Sequence, residues 1–306
     1  MPDTEQSVAP HRSGFACLVG RPNTGKSTLT NALVGTKVAI TSSRPQTTRH
    51  TIRGIIHRPE AQLVLVDTPG LHRPRTLLGQ RLNDLVKDTY SEVDVIGLCI
   101  PADEKIGPGD RWILQQLRHV APRVPVVGVV TKIDKVGRQQ VMQQLMAVSA
   151  LLGEEAEVVP VSAVKDEQVN VLADVLAAHL PEGPKLYPED EITDESDQKM
   201  MAELIREAAL EGLGDELPHS LAVVIDEFAP REGSKDLWDL RALLYVERQS
   251  QKSIVIGKGG SRLRDVGTEA RQQIENMFGV RIYLDLHVKL AKDWQRDPKQ
   301  MGKLGF

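Results

Sequence analysis

The stretch Gly20-Arg21-Pro22-Asn23-Thr24-Gly25-Lys26-Ser27 constrains the fold of this chain more than any other feature. It fits the pattern G-x-x-x-x-G-K-[ST], in which glycines let a tight turn approach phosphate groups. An apolar run at 15–19 predicts a buried strand before it, and 27–34 predicts a helix after it. Unpaired N–H groups and the positive end of the helix dipole meet at such a helix start. The stretch therefore predicts a site for a nucleoside phosphate.

Two side chains of this loop have expected roles in the chemistry. Lys26 is expected to neutralise the terminal phosphates, and the Ser27 hydroxyl to take one coordination position on Mg²⁺. The residues of the loop that we expect to contact the nucleotide are Gly20, Asn23, Thr24, Gly25, Lys26, Ser27 and Thr28.

Length and composition limit the alternatives. The chain has 306 residues, enough for two domains, and its 38 basic and 42 acidic residues give a net charge of −4, which does not indicate a nucleic-acid binder. Cys17 and Cys99 lie inside apolar runs, so they predict reduced core residues rather than a disulfide. No apolar run approaches the ~18 residues that a membrane span needs. We expect a cytoplasmic protein without a transmembrane segment, whose residues 1–13 are disordered.

Residues 14–180 alternate strand-like and helical runs, which is typical of a doubly wound α/β sheet. Ligand-binding loops should lie at the carboxyl ends of the strands. Beyond 15–19, the predicted strands are 50–56, 63–66, 95–100, 126–130 and 158–161.

A change of composition predicts the domain boundary. Residues 181–198 hold three prolines, seven acidic residues and one lysine, and we interpret them as an exposed acidic linker or at most the start of a helix. Residues 199–306 then follow the order helix, strand, strand, helix, strand, ending in a C-terminal tail. The predicted elements are a helix over 200–208, strands over 221–228 and 242–248, a helix over 263–277 and a strand over 282–290.

A second motif, Asp67-Thr68-Pro69-Gly70, follows the predicted strand 63–66. Asp67 is expected to hold Mg²⁺ through water, and the Gly70 N–H to meet the terminal phosphate. Thr68 is assigned to the nucleotide site with them.

Two further motifs indicate the base. Thr131-Lys132-Ile133-Asp134 follows the strand 126–130, and Ser162-Ala163 follows the strand 158–161. The Asp134 carboxylate can accept hydrogen bonds from N1–H and the exocyclic amine of guanine, whereas adenine would leave it unpaired. Ser162 and Ala163 can support the same base through their N–H groups. The four motifs in this order predict a guanine-nucleotide site.

At this point the chain resembles the translation-factor class of Ras-like GTPases and, within it, the Era family. The tract Ser43-Arg44-Pro45-Gln46-Thr47-Thr48-Arg49-His50 is similar to the first switch loop of that family. The resemblance implies Thr48 as a further protein ligand of Mg²⁺, with Thr47 as the alternative, and places the second switch over 71–82. It implies a catalytic set of Asn23, Lys26, Thr48 and Gly70.

Three positions bear on how the resemblance applies here. Leu71 stands where Ras-like enzymes commonly have a water-orienting glutamine, so another source of positioning or charge is needed. Asn23 matches the residue that coordinates K⁺ beside the phosphates in related GTPases, with an ordinary loop-capping residue as the alternative. Thr131 replaces the usual asparagine, and its hydroxyl offers fewer hydrogen bonds, so we expect weaker affinity with guanine preference retained.

In the second domain, Ile254-Val255-Ile256-Gly257-Lys258-Gly259-Gly260 carries the G-x-x-G signature of a KH domain, and residues 241–306 hold thirteen basic against seven acidic residues. Glycines let this turn meet nucleotide phosphates, and a groove beside the following helix accepts single-stranded bases. The aromatic content of 4% disfavours an RRM-type stacking platform. The residues expected to bind RNA are Ile256, Gly257, Lys258, Gly259, Gly260, Arg262 and Arg264.

The resemblance to the Era family, from about residue 14 onwards, implies a P-loop GTPase domain followed by a smaller α+β type II KH domain. The implied function is a GTP/GDP switch that binds 16S ribosomal RNA near its 3′ end and assists maturation of the 30S subunit. In this scheme GTP and Mg²⁺ order 36–51 and 71–82 and so control the KH face. A monomer is expected, and peripheral attachment to the inner face of the cell membrane is an alternative location. The rival function is a binding scaffold that turns over negligibly.

Overall fold

The computed structural model describes residues 10–42, 47–69, 76–153, 155–211, 220–234 and 236–306. Over these residues the chain forms two compact units. The first comprises Met1–Ala39, Thr51–Leu71 and Leu85–Asp194, and the second comprises Ile40–His50, His72–Asp84 and Glu195–Phe306. The second unit therefore takes in two short stretches from the amino-terminal half of the chain.

Six strands form one sheet among the described residues of the first unit, in the order β2-β3-β1-β4-β5-β6. They are β1 (Arg12–Val19), β2 (Ile52–His57), β3 (Ala61–Asp67), β4 (Val95–Pro101), β5 (Val126–Thr131) and β6 (Val158–Pro160). Neighbouring strands run parallel except β2, which is antiparallel to β3. This topology confirms the predicted doubly wound α/β fold.

Helices cover both faces of this sheet. They are α1 (Lys26–Val34), α2 (Leu77–Glu92), α3 (Pro108–Val120), α4 (Arg138–Leu152) and α5 (Val169–Ala178). One apolar core packs α1 and α5 on the sheet, and the other packs α3, α4 and the second half of α2 on it. Every residue of β4 is consequently buried, as expected for a strand covered on both faces.

Both cysteines are reduced and buried in this sheet, as the sequence predicts. Burial raises the pKa of the Cys99 thiol to about 12. No helix in the described ranges is both long and apolar enough to cross a membrane.

The ends of the first unit differ from the predicted boundaries. Strand β1 begins at Arg12, within the stretch expected to be disordered, because the Arg12 N–H donates to the carbonyl of Glu60 at 2.9 Å. The predicted linker 181–198 is mostly exposed and contains the boundary between the two units, which lies after Asp194, so that its residues 181–194 belong to this unit. The buried Gln62 amide oxygen accepts N–H groups from Leu186 and Tyr187 at 2.6 and 2.9 Å. Hydrogen bonds from main-chain N–H groups to a distant side chain cannot be predicted from an acidic, proline-containing composition.

In the second unit, three strands form a sheet in the order β7-β8-β9 over the described residues, with β7 antiparallel and β9 parallel to β8. Helices and strands together give the predicted α+β architecture. The elements are α6 (Asp197–Leu210), β7 (Ala222–Pro230), β8 (Leu237–Val246), α7 (Gln249–Ile256), α8 (Ser261–Phe278), β9 (Arg281–Leu290) and α9 (Pro298–Lys303).

Two helices of the second unit bear on the sequence prediction. Helix α6 begins at Asp197, because the Ser196 hydroxyl caps it by accepting the N–H of Lys199, so the end of the predicted linker is the start of a helix, as the sequence allowed. Helix α7 is absent from the predicted element order. It spans only eight residues, and its Ser253-Ile254-Val255-Ile256 end is rich in β-branched side chains, which are poor helix formers.

Candidate functional site

The phosphate loop lies between the end of β1 and the start of α1, as predicted. Gly25 occupies the left-handed region with φ of 92°, and Asn23 does so with φ of 63°. A Cβ at Gly20 would lie 2.6 Å from the carbonyl oxygen of Cys99, so only glycine lets the loop pass β4 here. The loop is therefore shaped both by its own glycines and by the strand beneath it.

Lys26 is buried under the loop that it serves. Its ammonium donates to the carbonyl oxygens of Gly20 and Arg21 at 3.0 and 2.8 Å. Burial lowers the pKa of Lys26, and the nearby Cys99 and Asp67 counter this in part. A cation held by two carbonyls at a helix N-terminus is placed to meet an incoming anion.

The Thr131-Lys132-Ile133-Asp134 motif braces the same loop from the end of β5. The Thr131 hydroxyl donates to the carbonyl of Thr24 at 2.7 Å in a buried hydrogen bond, and the Lys132 ammonium donates to the carbonyl of Asn23 at 2.6 Å. The threonine therefore makes a loop contact even though it lacks the amide expected at this position.

A cavity of about 220 Å³ opens beside this brace. The Asp134 carboxylate at the cavity accepts the Ser162 hydroxyl at 2.6 Å, and that hydroxyl in turn accepts the N–H of Lys165 at 3.2 Å. The cavity is lined by Gly25, Thr28, Leu29, Thr131, Lys132, Asp134, Lys135, Val161, Ala163 and Val164. An apolar slot with one carboxylate at its edge has the character of a site for a flat base.

Of the predicted metal ligands, the structure brings Ser27 and Asp67 together. The Ser27 hydroxyl donates to one carboxylate oxygen of Asp67 at 2.9 Å, and both Asp67 and Thr68 are fully buried at the end of β3. Thr48 is described within the second unit, and Gly70 lies outside the described residues.

The predicted RNA-binding loop joins α7 to α8. Gly257, Gly259 and Gly260 all have positive φ, at 74°, 61° and 77°, and Lys258 between them is exposed. Beside the loop, α8 and β9 enclose a groove of about 430 Å³. The groove is lined by Gly260, Leu263, Arg264, Gly267, Thr268, Arg271, Ile282, Tyr283, Leu284 and Leu286. Apolar walls with two arginines suit bases on a charged backbone.

Comparison with known proteins decides the family. A family model described as "50S ribosome-binding GTPase" matches residues 15–132, and a KH domain model matches residues 216–295. GTPase Era of Mycobacterium sp. strain KMS is 74% identical over 295 residues, 96% of this chain and 99% of the relative. The chain belongs to the Era family of GTPases. GTPase Era of Mycolicibacterium smegmatis is 72% identical over the same length of this chain.

Solved structures of Era match the whole architecture. A crystal structure of Era in complex with MgGDPNP and nucleotides 1506–1542 of 16S ribosomal RNA has a TM-score of 0.92 at 38% identity, covering 96% of this chain and 99% of that one. A variant of Aquifex aeolicus Era bound to GDP·AlF4⁻ has the same TM-score at 37% identity. The predicted Era family, the GTPase assignment and the KH domain are all confirmed.

Several residues of the Era-type sites escaped the sequence analysis. Val164 lines the Asp134 cavity with 78% of its surface exposed, and its position directly after Ser162-Ala163 is the signal that could have found it. Arg271 and Tyr283 line the KH groove, and only the pairing of α8 with β9 reveals them.

Arg262, by contrast, has partners within its own unit. Its guanidinium donates to the carbonyl oxygens of Ala209 and Glu211 at the carboxyl end of α6. The structure thus gives Arg262 a role in tying α6 to α8, whereas Arg264 lines the groove.

Of the tract 43–50 that resembles the first switch loop, 47–50 are described, and 43–46 lie outside the described residues. Residues 40–42, in the stretch 36–51 that GTP is expected to order, are described as well. Both described stretches belong to the second unit, where two neighbouring side chains of α6 bond to them. Arg206 donates to the Thr47 carbonyl, and the Glu207 carboxylate accepts the N–H and hydroxyl of Thr41 at 2.7 and 3.3 Å.

Aromatic side chains of the C-terminal tail complete these contacts. The buried Arg49 guanidinium donates to the Leu221 carbonyl at 2.7 Å and lies 5.9 and 5.8 Å from the ring centroids of Trp294 and Phe306. His50 stacks on Phe306 at 4.9 Å. Burial, with a smaller contribution from the nearby Arg206, lowers the pKa of Arg49 to about 9. The first switch tract is therefore packed against α6 and the tail.

Proposed function

We propose that this Era family GTPase binds GTP and GDP together with Mg²⁺, with the phosphates at the phosphate loop and the base in the Asp134 cavity. We also propose that its KH groove binds 16S ribosomal RNA near the 3′ end. On this basis it assists maturation of the small ribosomal subunit. The observation that carries the proposal is the cavity itself, because it places Asp134 and Ala163 directly beside the braced loop. The complex of the related Era with MgGDPNP and 16S nucleotides 1506–1542 supports both halves.

The residues at the phosphate end fit Mg²⁺. Ser27 and Asp67 supply a hydroxyl and a carboxylate, the hard oxygen donors that this ion prefers, and they lie in hydrogen-bond contact. Bound Mg²⁺ neutralises charge on the phosphate oxygens. Lys26 binds the same phosphates from the helix side. Thr48 remains our choice for a further protein ligand and Gly70 for the N–H on the terminal phosphate.

Asp134 tests the base assignment. We expect calorimetry to give tight binding of GDP and no measurable binding of ADP. Asp134→Asn should lose about a hundredfold in GDP affinity, because the amide nitrogen that replaces one oxygen faces donors of guanine. Equal affinity for the two nucleotides in the unmodified protein would refute a guanine site.

RNA stimulation tests the whole function. Phosphate release from GTP should continue over many turnovers and rise when an RNA with the 3′-terminal 16S sequence is added, whereas a scrambled RNA of equal length should give less. Single turnover with either RNA would favour the scaffold function instead.

We also propose that nucleotide state alters RNA binding through the first switch tract. Its support is the packing of Thr41, Thr47 and Arg49 within the unit that holds the KH groove. The RNA affinity should differ between GDP and a non-hydrolysable GTP analogue. Arg49→Met should reduce that difference, and identical affinities in the two states would exclude the coupling.

Asn23 is proposed to hold K⁺ beside the phosphates. Its support is the place of Asn23 within the phosphate loop, where its backbone is left-handed with φ of 63°. Turnover should be faster in K⁺ than in Na⁺ at equal ionic strength, and Asn23→Ala should remove the difference. Equal rates in the two salts would leave Asn23 as a loop residue only.

We further propose a monomer that acts in the cytoplasm, and peripheral attachment to the inner face of the cell membrane is kept as a separate hypothesis. Sedimentation should give the mass of one chain, 33.8 kDa. Co-sedimentation with vesicles of anionic lipid would support attachment, and its absence would remove that hypothesis.

A further inference from the structure

Arg21 lies inside the phosphate loop, but its side chain forms hydrogen bonds with one carboxylate in the first turn of α3 and with another just before that helix. The guanidinium donates to Asp110 at 2.8 Å through Nε and to Glu104 at 2.8 Å through Nη2. The Asp110 side chain is 1% exposed, whereas that of Glu104 is 43% exposed. Screening by water weakens the outer pair, so the bond to Asp110 is the stronger tether.

Asp110 is itself held in place by the start of its helix. Its second carboxylate oxygen accepts the N–H of Gly107 at 2.8 Å, which closes the first turn of α3. A Cβ at Gly109 would lie 2.9 Å from Cδ of Arg21, so the arginine stem rests on a glycine that leaves room for it. The segment Gly107-Pro108-Gly109-Asp110 thus provides both the space and the hydrogen-bond acceptor for the Arg21 side chain, and we call it the Arg21 pocket.

The main chain of Arg21 faces the phosphate side. Its carbonyl oxygen accepts the Lys26 ammonium at 2.8 Å and the Thr24 hydroxyl at 3.0 Å. Arg21 therefore links the Arg21 pocket at the start of α3 to Lys26 of the phosphate loop. Partial burial alone would lower the pKa of Arg21, but the hydrogen bonds to Asp110 and Glu104 outweigh it and raise the pKa, which keeps the tether charged.

We propose that Arg21 is a positioning residue of the nucleotide site, and that its bond to Asp110 sets the loop geometry in which Lys26 and the loop N–H groups meet the phosphates. The inference rests on the proposed nucleotide site. It predicts a property that a purely structural ion pair lacks: loss of the tether should weaken GDP and GTP together while kcat at saturating GTP changes little, because ground state and transition state share the loop.

The test compares Arg21→Ala, Asp110→Asn and the double variant in the full-length chain. Affinities for GDP and a non-hydrolysable GTP analogue should each fall by about tenfold in both single variants, because a displaced binding group can cost up to about a hundredfold. The double variant should lose no more than either single one, as expected for two ends of one interaction. Arg21→Lys should recover only part of the loss, because an ammonium lacks the fork of donors.

Two further variants separate positioning from folding. Gly109→Ala leaves both charges but fills the space of the arginine stem, and it should reproduce the weaker nucleotide binding. Arg58→Ala is the matched control, because Arg58 bonds to Asn170 at 3.0 Å on another part of the same unit. It should leave nucleotide affinity unchanged. Thermal unfolding of each variant identifies any that fails to fold.

Three results would overturn the inference. Unchanged nucleotide affinity in Arg21→Ala and Asp110→Asn would leave a structural ion pair only. A fall in kcat with unchanged GDP affinity would make Arg21 a catalytic group rather than a positioning one. Failure of the unmodified chain to bind GDP would remove the proposed nucleotide site as well, which distinguishes that outcome from the first two.

Discussion

Two glycine-rich loops serve this molecule, and they are held in opposite ways. In the phosphate loop, Lys26 is buried and bonded to carbonyl oxygens, and Thr131 and Lys132 brace the main chain from β5. In the KH loop, Lys258 is exposed, and a Cβ at Gly259 would meet no described atom within 4 Å. The contacts of the phosphate loop fix its main chain, as suits a compact anion such as a nucleotide phosphate. The KH loop is open, as suits a long and flexible anion such as single-stranded RNA.

The largest expected effect separates the two lysines. Lys26→Ala should lower GDP affinity by about a hundredfold, because charge-assisted hydrogen bonds contribute about 1.5–3 kcal/mol each. Lys258→Ala should lower RNA affinity by only about fivefold near 0.1 M salt and reduce the salt slope by about 0.7, the share of one phosphate contact. Calorimetry measures the GDP affinity, and filter binding measures the RNA affinity and its dependence on salt. Losses of equal size would show that the KH loop is as preformed as the phosphate loop.

The KH glycines should differ among themselves. Gly257 has φ of 74° and ψ of 175°, a region open essentially to glycine alone, and a Cβ there would lie 2.7 Å from Cβ of Arg262. Gly257→Ala should therefore lower the free energy of unfolding by about 2 kcal/mol or more. Gly259→Ala, with a left-handed backbone and open space, should cost about 1 kcal/mol. Denaturant unfolding measures both, and equal values would contradict the crowding at Gly257.

The smallest expected effect tests whether the hydrogen bond from Thr131 to the Thr24 carbonyl holds the phosphate loop. Thr131→Ala removes a buried donor from the Thr24 carbonyl and should lower GDP affinity by about tenfold, since an unsatisfied buried acceptor costs about 1–3 kcal/mol. Thr131→Ser keeps the hydroxyl and should stay within about twofold of the unmodified protein. If the serine and alanine variants bind GDP equally, the hydrogen bond does not hold the loop.

The elements that sequence predicted well are those with strong local patterns. Strands β4, β5 and β6 match the predicted apolar runs to within one residue, and α8 ends at Phe278, one residue beyond the predicted 277. Helix α7 was missed because eight residues with β-branched side chains give little helical periodicity. The boundary between the two units falls inside the predicted linker 181–198, but the hydrogen bonds that tie 181–194 to the first unit leave no trace in composition.

The candidate sites divide in the same way. The glycines, Lys26, Asp67 and Asp134 follow from motifs whose spacing reflects their chemistry. Arg271 and Tyr283 come together only because α8 packs beside β9, and Arg262 bonds to α6 from about fifty residues away in the chain. Contacts of that kind depend on packing between elements that no single motif contains.

The amino-acid sequence by itself determined which loops carry the glycine patterns typical of phosphate binding, in what order they follow, and on which kind of fold they lie. Those properties are local, since a glycine, a helix start and an adjacent strand are set within a dozen residues. Only the tertiary structure decided that Thr131 holds Thr24, that Asp110 receives Arg21 and that the first switch tract packs on α6 and the tail. The physical reason is that strand order and helix packing choose the partners of distant polar groups, and each buried group bonds to whichever partner that packing brings within reach.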